Sequence, residues 1–137
     1  MSATGRCLCG AVTYTAEDIE TDMNSCHCGK CRRWTGGPAF VVSVGKVKFD
    51  DENHITRFDS SAWAERGFCS RCGTNLFYRL KEADHYVLSM GTFDDQALFN
   101  LAGEIFIDEK PATYELAGDH PRLTGEEFMA SLQQNNN

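Results

Sequence analysis

Seven cysteines in a chain of 137 residues fall into three tight groups: Cys7 with Cys9, Cys26 with Cys28 and Cys31, and Cys69 with Cys72. Packing does not explain three thiols within six residues, and any disulfide framework would leave one of seven unpaired. Metal ligation is therefore the first expectation. The segments "RCLCG" and "FCSRCG" each place two thiols on a tight turn that ends in glycine, a residue that tolerates the positive φ of such turns. Together Cys7, Cys9, Cys69 and Cys72 make a tetrahedral set of four thiolates, and closing so long a loop is where a metal clip helps most. A redox role for either pair would call for a Cys-x-x-Cys at a helix start in a βαβ context, which the sequence does not offer.

That pairing leaves Cys26, Cys28 and Cys31 as a second set with three protein ligands. Three protein ligands and an open fourth position are the arrangement of a catalytic zinc, whereas four make a closed structural site. Two alternatives stay open. A histidine from His54, His85 or His120 can complete the set and close it, or the thiols can hold an iron-sulfur cluster. His27, between two ligands, is expected to point away from the metal. Three thiolates make zinc a mediocre Lewis acid for water but a good partner for a substrate thiol, which it deprotonates while leaving it nucleophilic. With seven thiolates and two Zn2+ the formal charge moves from −7 to −10, so an anionic thiol needs local help. Lys30, Arg32 and Arg33 stand beside the cluster to give it, with Trp34 as a cover for the substrate. Solubility and partial neutralisation of thiolates account for these residues equally, as they do for Arg6, Arg66 and Arg71.

The remainder of the sequence reads as mostly β. Runs rich in β-branched and aromatic residues predict strands at 11–15, 39–44, 46–49, 75–80, 86–90 and 104–107. "NLFYRL" and "EIFI" alternate as strands with one buried face do, while "AFVV" is apolar throughout and suits the centre of a sheet. One helix is expected, in "TGEEFMASLQQ", where Thr124 and Glu127 have capping-box spacing. The closing "QQNNN" is expected to fray. Length predicts a single domain over residues 1–137. The opening residues lack a signal-peptide pattern and no apolar run approaches a membrane span, so a cytoplasmic protein with no membrane partner is expected. The acidic balance of 20 to 13 opposes binding to nucleic acid.

The segments "GRCLCGAVTY", "CHCGKCRRWTGGPAF", "ERGFCSRCGTNLFYRL" and "SMGTFDD" resemble the glutathione-dependent formaldehyde-activating (GFA) enzyme family, whose domain also occurs in centromere protein V. All seven cysteines fit in order and spacing, over about Gly5 to Arg122. The resemblance implies a β-tent of packed antiparallel sheets, a structural zinc on Cys7, Cys9, Cys69 and Cys72, and a catalytic zinc on Cys26, Cys28 and Cys31. It further implies a carbon-sulfur lyase that joins formaldehyde and glutathione into S-hydroxymethylglutathione. The chain departs from the family pattern where many members carry a His-Ile and a later Trp: Glu104 and Thr113 stand there. In "GTFDD", Asp94 and Asp95 either orient a ligand or simply form a turn. The alternative to an enzyme is a non-catalytic zinc module that binds a protein; a basic or Pro-rich extension would mark that type, and this chain shows neither.

Overall fold

The computed structural model describes residues 1–135. In chain order the elements are β1 (Ser2–Arg6), β2 (Thr13–Ile19), β3 (Asp22–Cys26), α1 (Gly29–Thr35), β4 (Ala39–Phe49), β5 (Ile55–Asp59), β6 (Ala64–Cys69), β7 (Asn75–Leu80), β8 (His85–Ser89), β9 (Asn100–Ile105) and α2 (Gly125–Asn135). The class is the expected one, mostly antiparallel sheet with one short C-terminal helix. The chain divides into two compact units, residues 1–21 with 41–99, and 22–40 with 100–137.

In the first unit the strands run in the order β1-β2-β4-β8-β7-β6-β5, every neighbour antiparallel. The two segments expected at 39–44 and 46–49 are one strand, β4, which continues through Gly45. β4 lies inside the order, as the unbroken apolar run "AFVV" requires. Val12, Ala16, Val42, Val44, Leu76 and Leu88 are buried, and Tyr14, Phe49, Phe77, Tyr86 and Phe93 pack ring on ring with centroids 4.9–6.0 Å apart. Most of these contacts are edge-on or steeply tilted, the geometry aromatic quadrupoles favour. The Tyr14 hydroxyl, fully buried, is satisfied at 2.7 Å by Thr92 Oγ1. Burial pushes its pKa well above that of an ordinary phenol. Gly67 on β6 lies under the ring of Phe77, where a Cβ would come within 2.2 Å of the ring carbons.

In the second unit β3 and β9 pair in parallel, with Ser25 opposite Glu104 and Cys26 opposite Ile105. β9 ends at Ile105, short of the expected 107, because Phe106 turns into the left-handed region (φ 56°) and a 3₁₀ turn follows at Ile107–Glu109. α2 starts as the sequence predicts: the Glu127 N–H donates to Thr124 Oγ1 (3.1 Å), and the Thr124 N–H donates to Glu127 Oε1 (2.8 Å). The helix continues to Asn135, so the expected fraying does not start at Gln133; for Asn136 and Asn137 that expectation lies outside the described residues. No helix among the described residues is long and apolar enough to cross a membrane.

Candidate metal centres

Two groups of thiols come together, and they are the two read from the sequence. Cys7, Cys9, Cys69 and Cys72 form one, in the first unit; Cys26, Cys28 and Cys31 form the other, in the second. In each, all Sγ atoms lie within 4.8 Å of one another, so each group can hold a metal ion.

The four-thiol group is built from two loops of the same design. After β1, Cys7 closes its loop by donating its N–H to Val12 (3.0 Å) and accepting from Gly10 (3.2 Å). After β6, Cys69 donates to Thr74 (3.0 Å) and accepts from Gly73 (2.8 Å). Gly10 and Gly73 take φ of 82° and 77°, the left-handed values that glycine adopts without strain. Thr74 ties the loops together, since its Oγ1 accepts from the Leu8 N–H at 3.0 Å and lies 3.2 Å from Cys72 Sγ. The Sγ separations test whether zinc fits. A Zn–S bond of about 2.3 Å in tetrahedral geometry puts sulfurs about 3.8 Å apart; Cys7 to Cys9 is 3.6 Å and Cys9 to Cys69 is 3.8 Å. Sharing of protons within the group shows as opposite shifts. The Thr74 hydroxyl and N–H bring Cys72 down to about 5, while Cys9 rises to about 11, the hydrogen bond from Ala11 being outweighed by desolvation and neighbouring thiols. Such a set is stable as several thiolates only around a cation.

The three-thiol group forms where β3 gives way to α1. Cys26 is the last residue of β3, Cys28 is the N-cap of α1, and Cys31 sits in its first turn, with its N–H donated to Cys28 Sγ at 3.4 Å. A cysteine as cap explains why the sequence hides this helix. Cys26 is raised far above an ordinary thiol, first by hydrogen bonds with Cys28 and Cys31 and then by burial. Among the described residues the group comprises these three thiols and no histidine or carboxylate. A histidine-completed site is therefore not what the structure builds from His54, His85 or His120.

His27 points away from the thiols, as its place between two ligands predicts, and it is fully buried. Its Nε2 lies 2.7 Å from Glu104 Oε1 and its Nδ1 2.8 Å from the Tyr114 hydroxyl. A carboxylate only accepts, so Nε2 donates to Glu104. Glu104 Oε2 accepts from His120 Nε2 (2.6 Å) and forms an ion pair with Arg122 Nε at 2.9 Å. Burial raises the Glu104 pKa, but hydrogen bonds from His120 and His27 and the charge of Arg122 outweigh it and hold the carboxyl below its ordinary value. Sequence reasoning noted Glu104, weighed His120 only as a possible metal ligand, and missed Tyr114 and Arg122. No local pattern announces partners 16 to 87 residues apart.

Lys30, Arg32, Arg33 and Trp34 all lie on α1, with Lys30 and Arg33 exposed. Arg32 is half-buried and donates its Nε to the His27 carbonyl at 2.9 Å, so part of this guanidinium holds the loop. Arg6, Arg66 and Arg71 belong to the first unit. Asp94 and Asp95 behave as turn residues there: Asp94 accepts from the Thr4 hydroxyl (2.7 Å) and Asp95 caps a 3₁₀ turn through the Ala97 N–H (3.1 Å). Thr113 is exposed.

The family model described as glutathione-dependent formaldehyde-activating enzyme matches residues 2–109. The chain belongs to this family. It is 30% identical over 130 residues to an uncharacterized lyase of Schizosaccharomyces pombe, an alignment covering 93% of this chain and 95% of that protein. A crystal structure of a Rhodobacter sphaeroides protein superposes with a TM-score of 0.55 at 19% identity, covering 87% of this chain and 98% of the other, which shows a shared fold. The GFA match spans both cysteine groups. It ends before Tyr114, His120 and Arg122.

Proposed function

We propose that this GFA-family member is a zinc-dependent carbon-sulfur lyase acting on a glutathione-type thiol and a small aldehyde, with S-hydroxymethylglutathione as the type product. The observation that carries it is the contrast between the two groups, four thiols against three. Four thiols saturate a tetrahedral ion and serve the fold; three leave room for one more ligand. Zinc held by Cys26, Cys28 and Cys31 would bind a substrate sulfur and stabilise it as thiolate. The basic face of α1, with Lys30 and Arg33 exposed, offsets the negative charge of thiol and cluster. We assign Trp34, half-buried one turn beyond Cys31, as the cover for the substrate. In the synthetic direction the sulfur lone pair attacks the carbonyl carbon, a C–S bond forms, and the C=O π pair moves to oxygen, which takes a proton. The reverse breaks the C–S bond and returns both electrons to sulfur.

Formaldehyde and glutathione also combine without a catalyst, so the test is a rate. Exchange NMR on an equilibrium mixture gives the interconversion rate with and without zinc-loaded protein. A saturable acceleration that Cys28→Ser abolishes is expected. No acceleration by a fully loaded protein would favour a non-catalytic zinc module instead.

A further inference from the structure

His27 separates two of the three thiols, and every polar group it owns is engaged. Its N–H donates to the Ile105 carbonyl (3.1 Å), its carbonyl accepts from Arg32, and its ring joins Glu104 to Tyr114. Glu104 is as well fixed: its N–H donates to Pro121, its carbonyl accepts from Leu123, and its carboxylate binds His27, His120 and Arg122. Arg122 in turn donates to the carbonyls of Leu116 and Gly118 (2.9 and 3.0 Å), and Lys110 donates to those of Pro111 and Tyr114. Segment 110–123 has almost no regular structure, yet Tyr114 ties it to His27, and His120, Pro121, Arg122 and Leu123 tie it to Glu104.

Burying ionisable groups this completely, with His27 at 0% and Glu104 at 1% exposure, is a poor route to stability, because apolar residues of similar volume usually do at least as well. A fully satisfied polar network does fix one arrangement against its alternatives. Resting on the reading of Cys26, Cys28 and Cys31 as a metal site, we propose that Glu104 is its positioning residue: through His27 it holds the Cys26–Cys28 segment so that the three Sγ atoms present one open geometry to the ion. Groups one step removed from ligands set ligand orientation, and their loss typically costs about 10 to 100-fold in metal affinity.

Zinc is spectroscopically silent, so the probe is Co2+ titrated into the full-length protein, with the four-thiol group as internal reference. In Glu104→Ala, cobalt affinity of the three-thiol group should fall by about 10 to 100-fold and its visible absorption should change, while the four-thiol group keeps its own. Glu104→Gln, which retains an acceptor oxygen and the volume, should recover part of the affinity. Tyr114→Phe removes one hydroxyl from a half-exposed ring without opening a cavity, and should move the same spectrum in the same direction by less. That variant decides the matter if Glu104→Ala does not fold. Wild-type spectrum and affinity in folded Glu104→Gln and Tyr114→Phe would overturn the positioning role alone. So would equal weakening of both groups, or a lower melting temperature with an unaltered spectrum. A wild-type three-thiol group that takes no cobalt would overturn the proposed function as well.

Discussion

Single side chains divide into those that serve the fold and those that serve the site. Gly67 belongs to the first kind: a methyl group there meets three atoms of the Phe77 ring at 2.2–2.8 Å, and Phe77 is fully buried. Gly67→Ala should destabilise the protein by about 1–3 kcal/mol, the usual cost of overpacking. Gly37→Ala, where a methyl group meets nothing within 4 Å, should stay within about 0.5 kcal/mol. Denaturant melts of both variants check the pair. The proposed function divides the cysteines the same way. Cys72→Ser removes a ligand from the group that joins the loops after β1 and β6, and zinc sites of that kind contribute folding energy directly, about 10–16 kcal/mol of apparent binding in small domains. It should cost the fold. Cys28→Ser should leave a folded protein with wild-type circular dichroism, and equal collapse of the two variants would count against a dedicated working site.

At the scale of elements, α1 and α2 show what makes a helix legible. α2 announces itself through Thr124, Glu127 and the apolar pair Phe128 and Leu132, and its capping bonds form as expected. Thr124→Ala should cost about 1 kcal/mol, seen as faster amide exchange at Phe128 and Met129. The seven residues of α1 carry no periodic apolar face and start at a cysteine cap, so composition conceals them. Strands divide similarly. β7 spans the same six residues read from "NLFYRL". β1, β3, β5 and β6 were not legible, because "SATGR", "DMNSC", "ITRFD" and "AERGFC" are short, polar or glycine-bearing, and pairing rather than propensity makes them strands. The ligand sets stood out for the opposite reason: a metal fixes residue type and spacing locally. The network of His27, Glu104, Tyr114, His120 and Arg122 has no such local rule, and only the fold gathers it.

For the whole molecule the proposed function predicts two metal sites of unequal lability. Zinc on the four-thiol group would have to lose a protein ligand before becoming accessible, whereas zinc on three thiols would already exchange its fourth ligand. Mild chelation should remove one metal while the fold persists, and the second only with unfolding; metal analysis alongside circular dichroism follows both. Simultaneous loss of both metals with global unfolding would make both sites structural. The central claim is that a substrate sulfur binds the three-thiol centre, and calorimetry of the zinc-loaded protein with glutathione and with its S-methyl ether tests it most directly. The ether keeps the peptide's charges but offers no thiolate. Glutathione should bind more tightly, release a proton, and weaken as salt screens the basic face of α1; the Arg32→Glu, Arg33→Glu double variant should lose more affinity than removal of one arginine does. Equal affinity for the two ligands with no proton release would contradict the account.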